Sequence, residues 1–474
     1  MAITASTNTA FDVTTLVSQL MAVERRPIER LNTLISDTQA KISSLGTLSS
    51  LVSSFQSAAL GLRANLEKLT ATASDGSALT ASAISTAVPG NYTVNVSRLA
   101  QSQSVVAAGQ TSSTAAIGNG MPTTLTFDFG TITGGTLTNG VYSGATFTTN
   151  GGGSANVVID GTNNTLEGIR DAINAARLGI SATIVNDGSG TPYRLALTST
   201  GTGASNSIRI AASGGDGSLA SLLAYDPAGT QNLTQTQAAQ NASLTVNGIA
   251  IASTSNTVRD AIQGVTLTLK NATVAPAALA VARDTAAMST AANSFVDAYN
   301  ALASQLKSRS AYGADGKSGG VLAGDSALRL MQEQLRNIFL TPATGGTLSS
   351  LSQIGIAFQR EGVLTLDGAK FSNAIANDFA DVTNLLASPT GFATRLEQWG
   401  NATLSVGGLI QSRTQSLNDY VKNRTDEVDR LELRMTALEK KYTTEYTNLN
   451  LLLGRMNTTS TFLTQQLAIS QKND

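Results

Sequence analysis

Cysteine and histidine are both absent from this chain of 474 residues. Without histidine there is no Ser-His or Cys-His catalysis, no imidazole metal site and no ordinary pH switch. Without cysteine there is no disulfide, zinc ribbon, thiol nucleophile or iron–sulfur cluster. Any catalysis would rest on Asp, Glu, Lys, Tyr, Ser or Thr alone. Charge is scarce as well: 13% of residues are charged, against about 25% in ordinary domains. Because 31 basic residues offset 32 acidic ones, the net charge is −1, which gives no electrostatic footprint for nucleic acid or an anionic membrane. Aromatic residues make up 5% and tryptophan occurs once. No segment approaches the roughly 18 uninterrupted apolar residues of a membrane span. Residues 1–10 lack the basic stretch and apolar run of a secretory signal, so any export is expected to use another route.

What is present is serine, threonine, asparagine, glutamine and glycine, a polar bias common in extracellular β-rich proteins and bacterial surface appendages. At roughly 150 residues per domain, the length suggests about three domains. From about residue 10 to 70, apolar residues recur at Val13, Leu16, Val17, Leu20, Ile28, Leu31, Ile35, Ile42, Leu45, Val52 and Phe55. From Ile28 onward this is a heptad seam with Thr38 as its weak position. Pro27 predicts a break between a short helix and a longer one. Asp12 is placed to cap the first.

From about 72 to 284 the character changes. Residues 70–275 hold only 7 basic and 9 acidic side chains. Alternating runs at Tyr92–Ser97, Ala155–Ile159, Leu244–Asn247 and Val265–Leu269 predict strands. A weak repeat joins Val158–Gly161 and Asn164–Ile173 to Thr245–Gly248 and Asn256–Ile262. Each copy predicts strand, turn, then a helix opened by Asn/Thr caps. Ile180–Val185 and Tyr193–Thr198 add strands to the first copy. The glycine- and threonine-rich stretch from about 110 to 235 is expected to be one β-rich module inserted into another.

From about 285 the pattern is helical again: a helix at 290–307, one capped by Gly324-Asp-Ser326 and running to Leu340, a hairpin at 355–366, and a helix from Asp367. The strongest signal comes last. Val421, Val428, Met435, Tyr442, Leu449, Met456 and Leu463 fall seven apart, with Arg424, Leu431, Leu438, Glu445 and Leu452 three further on. Residues 411–456 add 8 basic and 7 acidic side chains, so the other faces are solvated. This predicts a long coiled-coil-type helix. A heptad seam needs a partner, most simply the helical region at the other terminus, leaving residual apolar faces for other subunits. The expected fold class is therefore α+β and multidomain: terminal helices pair into a coiled-coil stalk, and the central modules form a β-rich head.

Motifs for chemistry are weak. Gly316-Lys-Ser318 ends like a phosphate-binding loop, but position 311 is alanine where the motif needs glycine. Gly188-Ser-Gly190 and Gly201-Thr-Gly203 miss the third glycine of a dinucleotide fingerprint. Asp160, Glu167, Asp171 and Asp187 are the carboxylates that glycoside hydrolysis would require, and turn or capping roles explain them better. Trp399 lacks aromatic companions in the sequence, and Tyr442 and Tyr446 read as packing residues. No catalytic, cofactor or metal residues are expected.

Taken in order, several segments resemble the flagellar hook-associated protein 2 family, the flagellar filament cap proteins. They are Phe11–Glu24 with Pro27, Val88–Gln101, the residues 164–199 that resemble the flagellin IN motif, Phe295–Asn300, Gly324-Asp325, Gly355-Ile356 with Gly362–Asp367, and Gly408–Thr414 with the long helix. Ser6-Thr-Asn-Thr-Ala10 stands where the family has a glycine-rich opening. The resemblance implies an oligomeric ring at the distal end of the filament, with terminal helices as legs and β modules as a plate, assisting flagellin folding and insertion. It implies other hook-associated proteins, the flagellar type III export apparatus and a cytosolic export chaperone as partners, and an extracellular location at the filament tip. The expected division is legs at 1–40 and 421–474, a helical stalk at 41–71 and 285–420, one β module at 72–109 and 236–284, and an inserted module at 110–235. The expected assembly residues are Leu16, Leu20, Ile28, Leu31, Ile35, Ile42, Leu45, Val421, Val428, Leu431, Met435, Leu438, Tyr442, Leu449, Leu452 and Met456. A hook–filament junction protein and a surface adhesin using the 110–235 module on host glycan or mucin are the alternative readings.

Overall fold

The computed structural model describes residues 12–313 and 319–470. The chain forms two compact units, one from its two ends, up to Leu66 and from Thr285, the other from Glu67–Asp284. Helices α1 (Val13–Glu24) and α2 (Arg26–Leu66) open the first unit. Asp12 caps α1 by accepting the Thr14 and Thr15 amides at 3.0 and 3.2 Å. The break falls at Arg25, and Pro27 sits in the first turn of α2, where its missing N–H costs nothing. Two short helices, α3 (Leu166–Ala176) and α4 (Ser218–Leu223), lie in the second unit. The first unit resumes with α5 (Thr285–Ser310), α6 (Ser326–Leu340), α7 (Gly368–Asn377), α8 (Phe379–Ala387), α9 (Phe392–Leu404) and α10 (Leu409–Ser470).

The core of the helical unit gathers on α2. Leu45, Leu48, Val52, Phe55, Ala59 and Leu62 fall three or four apart and are fully buried against α5, α9 and the start of α10. Phe55 is the hub: the rings of Phe295, Tyr299 and Trp399 lie 5.3, 5.8 and 6.4 Å from it. Trp399 is thus a core residue. Asp325 ties α10 to α6. Its carboxylate accepts the Ala327 amide as the α6 N-cap at 2.9 Å and pairs with Arg413 of α10 at 2.9 Å, with the Asp325 side chain buried.

The second unit contains, in chain order, β1 (Leu69–Ala73), β2 (Leu79–Ala83), β3 (Gly90–Arg98), β4 (Ser104–Ala107), β5 (Thr123–Thr138), β6 (Val141–Thr149), β7 (Ala155–Ile159), β8 (Ile180–Asn186), β9 (Tyr193–Ser199), β10 (Ser207–Gly214), β11 (Leu233–Gln237), β12 (Ala242–Val246), β13 (Ile249–Ser253), β14 (Thr257–Ile262), β15 (Val265–Leu269) and β16 (Ala277–Arg283). It has two hydrophobic cores. One lies between the sheets β1-β16-β3-β12-β13 and β14-β15-β2. The other is built from β10-β5-β6 with β7 on β5, from β11-β4-β9-β8, and from α3 and α4. Strand pairing within this second core runs from Ser104 to Gln237, and all pairs in the unit are antiparallel. Gln103, wholly buried, bridges it: its amide donates to Gln235 and its carbonyl accepts the Ile208 amide, both at 2.5 Å. β17 (Ile356–Phe358) and β18 (Leu364–Leu366) complete the chain as a hairpin in the helical unit.

One expectation is overturned. Thr165 caps α3 through the Gly168 amide at 3.0 Å, as the first repeat copy predicts. The second copy is not helical: residues 257–262 form β14, paired with β15. Asn256 does not cap a helix. Its side chain holds the Ala100 amide and carbonyl at 2.7 and 2.9 Å. Val258 and Ile262 are then buried while Arg259 and Asp260 face out, with a bulge where Asp260 takes φ +59°.

The Arg413 side chain is 35% exposed, so losing Asp325 leaves a cation that water can still solvate, and the main loss is the buried N-cap, about 0.5–2 kcal/mol. Asp325→Ala is therefore expected to lower the urea stability of the helical unit by about 1–2 kcal/mol. Asp325→Asn, which keeps a capping oxygen, loses less. Helical circular dichroism reads both, and an alanine variant as stable as the parent contradicts this role for the pair.

Candidate functional site

The helix pair formed by the two chain ends is the feature most suited to assembly. α2 and α10 run antiparallel: Arg25 meets Glu432, Asp37 and Thr38 lie beside Leu417 and Tyr420, and Ile42 and Gly46 lie beside Ile410. Beyond this, α1 continues along α10 in a small core of its own. Val17 and Met21 of α1, Ile28 of α2 and Met435 of α10 are buried, flanked by Val13, Val428, Leu431, Leu438, Tyr442 and Tyr446. The Tyr442 and Tyr446 rings sit 6.3 Å apart. The Arg25–Glu432 pair at 3.2 Å is half-exposed, so it sets register and contributes well under about 1 kcal/mol. Each buried aliphatic side chain contributes about 1.5–3 kcal/mol, so this small core is the weaker part of the unit. Thr38 lies buried on the seam, its hydroxyl satisfied by the Leu34 carbonyl at 2.7 Å.

The sequence-predicted assembly residues fall into three groups. Ile28, Leu31, Leu45 and Met435 are buried, and Leu16, Leu20, Ile35, Ile42, Val421, Val428, Leu431, Leu438 and Tyr442 are half-buried. Leu45 and Ile42 serve the larger core, not the terminal one. Among the described residues, Leu449, Leu452 and Met456 face no other helix and are exposed, 41, 54 and 60% respectively. Among the described residues the buried packing along this seam ends at Tyr446. Phe462, Leu463 and Leu467 prolong the exposed stripe, and residues 447–470 carry a single charge, Arg455. Val17 and Met21 were not among the predicted residues. Their signal is the four-residue spacing Val13, Val17, Met21, which competes in the sequence with Leu16 and Leu20 on the flank.

The four candidate carboxylates are committed elsewhere. Asp160 closes a turn by accepting the Thr162 hydroxyl and amide at 2.7 and 2.9 Å, and these bonds lower its pKa. Glu167 accepts the Ser113 hydroxyl at 2.7 Å. Asp171 pairs with Arg170, which lowers its pKa. Asp187 sits in the β8–β9 turn, where Arg194 at 2.5 Å and Ser189 hold its carboxyl down at about 2. A glycosidase acid needs a raised value. Among the described residues there is no cluster of three or more metal-ligating side chains, and no helix is long and apolar enough to cross a membrane. Gly316-Lys-Ser318 lies outside the described residues, as do Phe11 and residues 1–10.

The chain matches the family models for the flagellar hook-associated protein 2 N-terminus over residues 9–103 and C-terminus over residues 239–458, and the flagellin hook IN motif over residues 146–201. It is 32% identical over 471 residues to flagellar hook-associated protein 2 of Escherichia coli strain K12, covering 96% of each chain. It is likewise 32% identical over 478 residues to the B-type flagellar hook-associated protein 2 of Pseudomonas aeruginosa, again covering 96% of each. The crystal structure of the D1-D2-D3 domains of the flagellar cap protein FliD from Escherichia coli aligns with a TM-score of 0.68 at 32% identity, covering 79% of this chain and 99% of that one.

Two outcomes are expected from this geometry. Met21→Asp places a charge in the small core, so amide exchange in α1 should accelerate while α2 beyond Leu45 keeps its protection; uniform acceleration along α2 would show that the two cores are not separable. The Asp187 carboxyl should titrate near 2 by nuclear magnetic resonance. Its lowered folded-state value means its contribution is present above the ordinary carboxylate pKa and lost as pH falls through about 2. Arg194→Gln should move that midpoint up.

Proposed function

This chain belongs to the flagellar hook-associated protein 2 family, and from that membership we propose that it caps the distal end of a bacterial flagellar filament. In this reading it acts as a homo-oligomeric ring that helps exported flagellin fold and insert during elongation. It works by assembly, without catalysis, cofactor or metal. The observation that carries the reading is α10: it is paired as far as Tyr446 and then presents an apolar stripe with one charge. A contiguous exposed apolar stripe of this kind marks an interaction surface. A leg that must detach and rebind as subunits add needs contacts of modest strength, and the small terminal core supplies such contacts.

The finer assignments belong to the same reading. Residues 1–40 and 421–474 act as legs, 41–71 and 285–420 as the stalk, and 72–109 with 236–284 and 110–235 as the plate. Other hook-associated proteins, the flagellar type III export apparatus and a cytosolic chaperone are the further partners, with the filament tip outside the cell as the site of action. Freedom from disulfides supports passage as an unfolded chain. Family membership favours this reading over a surface adhesin.

The test is complementation of a strain lacking the cap. Deleting residues 1–40 or 421–474 should leave flagellin secreted into the medium as monomer, while the β unit, followed by its far-ultraviolet dichroism, stays folded. Normal filaments from either deletion would sink the assignment of the legs.

A further inference from the structure

We propose that a cleft in the helical unit binds a small anionic amphiphile, an acyl or aryl anion whose apolar body enters the cleft while its head meets the rim. This goes beyond filament capping and does not rest on it. α5, α6 and the β17–β18 hairpin enclose about 490 Å³, within the roughly 300–1,000 Å³ of small-molecule sites. The floor is aromatic. The rings of Tyr299, Phe339 and Phe358 meet edge to face in a closed triangle, with centroids 5.2, 5.6 and 5.1 Å apart. Phe358 is nonetheless 46% exposed, so apolar surface remains for a ligand to cover.

The polar groups beside the floor are already used. The Tyr299 hydroxyl donates to the Gly362 carbonyl at 3.3 Å, and the Gln332 amide donates to the Ser310 hydroxyl at 3.2 Å. A body lying in the cleft therefore meets mostly apolar surface, since the Gln332 and Gln359 side-chain amide nitrogens are engaged elsewhere. The rim is different. Lys307, Arg336 and Arg360 line it, all exposed, and none pairs with a carboxylate among the described residues. One acidic residue, Glu361, stands against these three cations. An apolar floor under a cationic rim is complementary to an amphiphile with a negative head and offers nothing to a positive one. Because three elements form the walls, an occupant joins the hairpin to both helices and raises the unfolding temperature by mass action.

The probe is anilinonaphthalene sulfonate, titrated into the full chain by fluorescence and then displaced by dodecanoate or dodecyltrimethylammonium. Dodecanoate is expected to displace the dye and raise the melting temperature, and dodecyltrimethylammonium at the same concentration to do neither. Combined Lys307→Gln, Arg336→Gln and Arg360→Gln should weaken dodecanoate by about tenfold or more. Ala303→Phe, which fills the cleft, should abolish it. If that variant fails to fold, the three exposed substitutions still decide. The exposed stripe of α10 also attracts the dye, so Leu452→Gln with Met456→Gln serves as the control and should leave dodecanoate affinity unchanged. Equal displacement by the cationic amphiphile, unaltered affinity after neutralising the rim, or a loss confined to the α10 variant would each overturn the proposal.

Discussion

The antiparallel contact of the N-terminal helices with α10 joins residues more than four hundred positions apart in the chain (Arg25, just before α2, and Glu432, at 3.2 Å), and the helical unit is organised by it. α2 supplies the buried face on which α5, α9 and α10 converge, with Phe55 at the centre of the aromatic contacts. Closing so long a loop is entropically costly, and the buried leucines of α2, with the Asp325–Arg413 pair, offset that cost. α1 benefits only secondarily: once α2 has fixed α10, Val17 and Met21 find Met435 already in place. The order of dependence runs from the large core outward to the small one, and from there to the part of α10 whose apolar side chains lie outside both cores among the described residues.

Much of this was legible in the sequence because helical periodicity is a local signal. The seven-residue repeat from Val421 marks α10, Asp12 and Asp325 mark helix starts, and alternating residues mark β3, β7, β12 and β15. The failures have a common cause: a side chain's use is decided by distant neighbours. Asn256 looks like a helix cap, yet Ala100, more than one hundred and fifty positions away, claims it. Leu452 and Met456 carry the same periodic signal as Met435, yet among the described residues only Met435 has a helix packed on it. Periodicity identifies a face able to pair and is silent about where pairing stops. The cleft of Tyr299, Phe339 and Phe358 is illegible for a similar reason, since its walls come from three separated segments.

The uneven distribution of charge also divides labour. Beside the partly buried Asp128–Arg209 pair at 2.7 Å, the β unit uses uncharged amides and hydroxyls, as at Gln103, Gln235 and Tyr225 in the interior of its second core. Burying amides is tolerable only when their hydrogen bonds are made, and Gln103 makes them with both ends of its side chain. The paired length of α10 is by contrast densely and evenly charged, which keeps its outer faces wet and its seam directed inward.

The single charge among residues 447–470 sets the thermodynamic character of whatever contact that stretch makes. With almost no ionic component, such a contact is nearly indifferent to ionic strength, since there is little for dissolved salt to screen. Burial of leucine, methionine and phenylalanine carries a negative heat capacity change and weakens on cooling. A joint made by this helix end would therefore hold across fresh and saline water alike, and would loosen in the cold.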